Sequence, residues 1–138
     1  MAEGPVLAFT QIMAAMRAMT DKAMETPDQP VAMAVVDAAG NLLAYATMDN
    51  LRLFSRRSAI RKAYTAAIIG MDSSVWSKQM SEIGRNVSEM GDPNLTVGPG
   101  GLVLMKDGVI LGGLGVGGYA RGVQDEVLAR IGLQAMKL

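Results

Sequence analysis

Two hydrophobic periods alternate along this chain. From Val6 to about Glu25, the residues Phe9, Ile12, Met13, Met16 and Met19 recur at helical spacing. They predict an amphipathic helix, with Pro5 acceptable in a first turn. Its Met-rich face reads either as flexible core filling or as a haem or partner surface. Two later blocks, Pro30 to Ala44 and Pro99 to Gly118, are nearly continuous runs of small and branched apolar residues. They are interrupted only by Asp37-Ala-Ala-Gly-Asn41 and Lys106-Asp-Gly108. Gly-Asn and Asp-Gly supply the positive φ angles that short hairpin loops need, so each block predicts two antiparallel strands, the first pair at about 31–36 and 42–47.

Between the hairpins, Met48 to Phe54 reads as a loop into a second helix, with Ser55 as N-cap. Ala59, Ala63, Ala66, Ala67 and Gly70 form a stripe of small residues on it, suited to close packing on the sheet or on another copy of the chain. Ser55, Ser58, Lys62 and Thr65 define a separate polar face. A third helix follows Asp72-Ser-Ser74 and carries Val75, Trp76 and Met80. The stretch 84–98 is punctuated by Gly91, Pro93 and Gly98 and reads as irregular. A final helix spans roughly Val123 to Met136, with Val127, Leu128 and Ile131 pointing inward. Asp125 and Glu126 near its start and Lys137 near its end suit the helix dipole. The order α-ββ-αα-ββ-α predicts an α+β fold, an antiparallel sheet of four or five strands flanked by helices. With no linker in 138 residues, residues 1–138 read as a single domain.

Charge narrows the function classes. Thirteen basic and thirteen acidic residues cancel, and no Lys/Arg stripe is interleaved with aromatics, which argues against a nucleic-acid partner. No apolar run approaches the ~20 residues of a membrane span. Met1-Ala-Glu-Gly-Pro5 lacks the features of a signal peptide, so a soluble, cytoplasmic protein with no membrane partner is expected. Without cysteine there is no disulfide framework or thiolate site. Without histidine there is no Ser-His-Asp triad, imidazole base or His-metal cage, and no metal site is assigned.

The remaining chemistry rests on Asp37, Asp49, Lys62, Tyr64, Tyr119, Arg121 and Asp125, with backbone N–H groups around Gly100-Gly101 and Gly117-Gly118. Asp49, in the loop before the second helix, could reach Lys62 on that helix. The two then form either a surface ion pair or a mutually tuned acid–base pair. Arg52, Arg56, Arg57, Arg61 and Lys62 read as a solvated helix start or as a site for a small anion or carboxylate. Gly113-Leu-Gly-Val-Gly-Gly118 fits GxGxxG, but only twenty residues follow it, too few for the further strand a dinucleotide fold requires. These glycines serve close backbone approach to a packed helix or a ligand instead.

Val31 to Leu43, Met48-Asp49, Lys62-Ala-Tyr-Thr-Ala66, Pro99-Gly-Gly101 and Gly115-Val-Gly-Gly118 followed by Asp125 together resemble the GlcG/HbpS-type family, also found as the C-terminal domain of PduO-type proteins. The resemblance covers nearly the whole chain. It implies a compact α+β domain that assembles into homo-oligomers, with haem or related-cofactor binding and haem degradation among the themes of some members. Two segments depart from the family pattern. Thr47-Met-Asp-Asn-Leu51 stands for Arg-Met-Asp-Gly-Ala, and Gly115-Val-Gly-Gly118 for Gly-Val-Ser-Gly. Leu51 adds apolar bulk and the lost serine removes a hydroxyl, which suits a less polar organic ligand, and the missing histidine weakens haem, whose iron could still accept a tyrosine, a methionine or another oxygen ligand.

Two functions follow as expectations. The first is an oligomeric binding module for haem, another tetrapyrrole or a small organic acid. Its ligand-binding candidates are Arg57, Arg61, Tyr64, Gly100, Gly101, Gly117, Gly118 and Tyr119. The second is a metal-free isomerase, lyase or hydrolase in which Asp49 or Lys62 moves a proton on a small aromatic or carboxylate metabolite.

Overall fold

The computed structural model describes residues 5–138. Met1 to Gly4, most of the segment read above for a signal peptide, lie outside them. Helix α1 (Phe9–Ala23) is followed by strands β1 (Ala32–Asp37) and β2 (Leu42–Thr47). Helices α2 (Leu53–Ile69) and α3 (Ser73–Glu82) come next, then a short 3-10 turn at Val87–Met90. Strands β3 (Gly101–Lys106) and β4 (Val109–Gly117) and helix α4 (Gly122–Met136) complete the chain. The four strands form one antiparallel sheet in the order β2-β1-β4-β3, so the first strand of the first hairpin pairs with the last strand of the second. This is the α+β arrangement expected from the element order, with four strands.

Both hairpins close through local chemistry. Asp37 Oδ1 accepts the N–H groups of Ala39 and Asn41, each at 2.9 Å, while Gly40 takes φ +85°. At the second turn Asp107 and Gly108 both have positive φ, the signature of a type I′ turn.

Helices cover both faces of the sheet. Val31, Met33 and Val35 point to the side where α1 and α4 pack, and Leu102, Leu104, Leu114 and Val116 join them in the main core. Ala34 and Val36 point the other way and meet Ala63 and Ala67 of α2. Burial on both faces explains why these strands read as unbroken apolar runs.

The seat of α2 is made of glycine. Gly113, Gly115 and Gly117 alternate along one face of β4. A Cβ on Gly113 would meet the Ala63 carbonyl oxygen, one on Gly115 that of Ala59, and one on Gly117 that of Ser55. Four helical residues rise about 6 Å and two strand residues about 7 Å. The 55–59–63 series and the 117–115–113 series therefore run in step, in opposite directions. The glycines of the apparent GxGxxG motif thus seat a helix backbone on a strand.

Several local expectations are corrected by packing. Helix α2 begins at Leu53 with Arg52 at its cap and no side-chain cap bond, so Ser55 is not the N-cap. It is buried against β4. Phe9 is 75% exposed, because the buried face of α1 runs through Ile12, Ala15, Met16, Met19 and Ala23. Val127 is 59% exposed on α4, where Leu128, Ala129 and Gly132 face the core instead. No helix among the described residues is long and apolar enough to cross a membrane.

Candidate functional site

The polar face of α2 is not solvated. Ser55, Lys62 and Thr65 are all buried, because the segment 96–101 and the start of α4 close over them. That segment is held from below by side-chain oxygens. Thr96 N–H donates to Thr65 Oγ1 at 2.9 Å, Gly98 N–H to Ser77 Oγ at 2.5 Å, and Gly101 N–H to Ser73 Oγ at 2.9 Å. Each bond satisfies a backbone donor that an irregular segment would otherwise leave unpaired.

At the centre lies an ion pair between residues 63 positions apart. Lys62 Nζ donates to Asp125 Oδ2 at 2.9 Å and to the Val116 carbonyl oxygen at 3.1 Å. The other carboxylate oxygen of Asp125 accepts the Tyr119 N–H at 3.1 Å. One carboxylate thus ties together α2, the end of β4 and the first turn of α4. The side chains are 10% and 4% exposed. Burial raises the Asp125 carboxyl above its ordinary value, against the opposing pull of the Lys62 charge and the hydrogen bonds from Lys62 and Tyr119. An ammonium carries three N–H donors, and the two recorded bonds leave one.

Gly100, at φ +124°, shapes the space beside that nitrogen. A Cβ there would lie 2.9 Å from Lys62 Nζ, so a side chain would block it. A cleft of about 260 Å³ opens here, lined by Ser55, Ser58, Lys62, Thr96, Tyr119 and Asp125. Arg52, Phe54, Val97 and Gly118 also border it. The first turns of α2 and α4 both meet the cleft, and neither has a side-chain N-cap bond. Unbonded leading N–H groups carry partial positive charge, which at the start of α4 the Asp125 carboxylate offsets. The Tyr119 hydroxyl points away from Lys62, to a hollow it shares with Lys22 and Thr26, where burial raises it above its usual value against a hydrogen bond from Thr26.

The sequence-derived site residues are partly brought together. Lys62, Gly118 and Tyr119 line this cleft, and Gly100 borders Lys62 Nζ. Asp49 is not the partner of Lys62: the hydrogen bonds of Lys62 go to Asp125 and Val116, and Asp49 is exposed. It borders a separate groove of about 490 Å³ with Met24, Met33 and Met48. The α2 helix turns Lys62 toward Asp125 of α4. Arg57 is exposed and Arg61 half-buried, and neither lines the cleft. Tyr64 packs its ring under Gly40 and donates its hydroxyl to Asp92 at 2.6 Å, which raises the phenol and lowers the carboxyl. The Cβ positions of Gly101 and Gly117 face the α2 backbone, at the carbonyl oxygens of Lys62 and Ser55. Ser55, Ser58 and Thr96 were not among the candidate ligand residues. Their signal was the polar stripe on α2, whose covering segment lies some thirty residues on. Among the described residues, no group of three or more acidic side chains is placed to hold a metal ion.

Comparison with known proteins agrees with this architecture. The family model described as haem degrading protein HbpS-like matches residues 7–134. A double mutant of Streptomyces reticuli HbpS is 29% identical, with 97% of this chain and 89% of that chain covered at a TM-score of 0.84. The PduOC:haem complex is 25% identical, with 95% of each chain covered and a TM-score of 0.84. Klebsiella pneumoniae ORFY, at 21% identity, 99% and 94% coverage and a TM-score of 0.85, shows the shared fold. No curated protein matches the sequence significantly. With the family model spanning nearly the whole chain and the same sheet and helices recurring in these relatives, the protein belongs to the HbpS-like family of haem-degrading proteins.

Proposed function

We propose that this protein is a small-ligand-binding domain whose cleft over Lys62 takes a compact organic anion. The observation that carries the reading is the buried ammonium with one N–H left over, in a cleft bordered by the first turns of α2 and α4. A carboxylate there would meet the undonated N–H and the hydroxyls of Ser55, Ser58 and Thr96, with Arg52 at the rim.

Haem, the ligand in the PduOC complex, does not fit the donors of this cleft. The chain has no histidine or cysteine. Tyr119 borders the cleft, but its hydroxyl lies beside Thr26 and Lys22 in a separate hollow. The other two tyrosines donate their hydroxyls to Arg56 O and Asp92. A volume of about 260 Å³ is also below the ~300 Å³ at which pockets for drug-sized ligands begin.

Titrating the protein with small carboxylates while recording amide NMR spectra tests the reading. Shifts are expected at Gly98, Gly118 and Tyr119. Ser58→Glu, which adds a negative charge at the cleft, should abolish them without disturbing the fold. Carboxylates that shift nothing, or shift the variant equally, would sink the proposal.

Self-association belongs to the same reading. Leu53, Phe54 and Val123, each at least 60% exposed, sit at the starts of α2 and α4 beside the cleft, where apolar surface is suited to a second copy. Light scattering at micromolar concentration should read a multiple of the 14.5 kDa chain mass, and a monomer would contradict this part.

A further inference from the structure

The Lys62–Asp125 pair has the parts of an imine-forming centre, and we infer that Lys62 condenses with the carbonyl carbon of a compact 2-oxo acid or aldehyde acid held in the cleft. The inference rests on the cleft being the ligand site and names the chemistry of its ligand. Three features carry it. Lys62 Nζ lies beside a cavity with one N–H not donated. Its partner is a carboxylate 2.9 Å away, within proton-transfer reach. Gly100 keeps the space beside the nitrogen free of a side chain, since a Cβ there would stand 2.9 Å from Nζ.

The step balances within these groups. Asp125 accepts one proton from the Lys62 ammonium, and the freed amine pair attacks the carbonyl carbon, forming the C–N bond. The carbonyl oxygen takes one proton from Asp125 and one from nitrogen and leaves as water as the C–O bond breaks. The iminium keeps the third proton, and its positive charge stays beside the Asp125 carboxylate. Neither oxidant nor reductant is involved. Burial, which raises the Asp125 carboxyl, makes it the better base for the first transfer. The carboxylate of the ligand would lie toward the hydroxyls of Ser55, Ser58 and Thr96, and the carbonyl over Nζ.

The other four lysines supply an internal control. Lys22, Lys78, Lys106 and Lys137 are all exposed and free to form nonspecific imines. The intact protein would be incubated with pyruvate or glyoxylate and cyanoborohydride, and the reduced adducts mapped by peptide mass spectrometry. Lys62 should carry on the order of tenfold more adduct than any exposed lysine, because a held carbonyl raises the effective concentration at Nζ. A 2-hydroxy acid, which lacks the carbonyl, should bind without forming an adduct and should protect Lys62 from labelling. Asp125→Asn should slow labelling by at least about tenfold. If the 2-hydroxy acid shifts the cleft resonances while Lys62 is labelled no faster than the exposed lysines, the imine is wrong and the anion-binding reading stands. If neither acid shifts the cleft resonances and Lys62 is not labelled preferentially, both fall.

Discussion

Lys62→Met is expected to destabilise the protein by about 3 kcal/mol near neutral pH, the usual cost of leaving one member of a buried ion pair alone. Two things are lost. Asp125, 4% exposed, loses its counter-ion, and the Val116 carbonyl loses a donor. The cost should depend on pH with a defined sign. The Asp125 carboxyl is already raised by burial, with Lys62 opposing the rise, so removing Lys62 raises it further. A carboxyl whose folded value lies above its unfolded value contributes stability that is full below the unfolded value, near 4, and lost as pH rises through the folded one. The Lys62→Met variant should therefore recover stability on acidification, when Asp125 becomes neutral. Lys62→Met/Asp125→Asn should regain part of the loss at neutral pH, since Asn still accepts the Tyr119 N–H. Urea melts at about pH 5 and about pH 8 read both effects. An equal loss at the two pH values, or a double variant no better than the single one, would show that water already screens Asp125.

Gly115→Ala should be among the most damaging single methyls in the chain's interior, with Gly112 and Gly113 similarly crowded by backbone. Its Cβ would fall on the Ala59 carbonyl oxygen and 2.5 Å from the Ala63 N–H nitrogen, both backbone atoms of α2. Backbone cannot swing aside as a side chain does, so either α2 lifts from the sheet or β4 leaves its register with β1 and β3. A loss above about 4 kcal/mol is expected, at the extreme of point-mutant effects, seen as loss of the cooperative thermal transition or of soluble protein. Gly132→Ala provides the contrast. Its Cβ would meet only side-chain atoms, Met19 Sδ at 2.7 Å and Cγ at 2.9 Å and Leu114 Cδ1 at 3.0 Å, which can shift, and alanine inside α4 gains about 1 kcal/mol of helix propensity. That variant should stay within about 1 kcal/mol of the parent. A normal melt for Gly115→Ala would mean that α2 rides further from β4 than the glycine seat requires.

Much of the fold was legible in the sequence, because its signals are local. The turns at Asp37–Asn41 and Asp107–Gly108 declare themselves through residues able to take positive φ, or to accept backbone N–H groups. The small-residue stripe of α2 and the alternating glycines of β4 were each visible, though the fact that one seats the other needs the sheet order. The family resemblance carried the same architecture from ordered short motifs, and the relatives bear it out. The candidate site was half legible. Lys62, Tyr119, Gly100 and Gly118 meet at one place, whereas Asp49, Arg57, Arg61 and Tyr64 go elsewhere. Proximity in sequence suggested Asp49 for Lys62, but a helical lysine takes its partner from whichever element its face is turned toward.

Residue order alone therefore settled the order of the helices and the two hairpins and the exclusion of imidazole and thiolate chemistry, since each depends on neighbours within a turn or on simple presence, while the strand count of the sheet stayed open. It could not settle which polar residues would be buried. Ser55, Lys62 and Thr65 look like a solvated face until the segment 96–101 and α4 close over them. The pairing of Lys62 with Asp125 came from packing, because burial makes an unpaired charge costly and selects the one carboxylate the assembled helices bring within 2.9 Å.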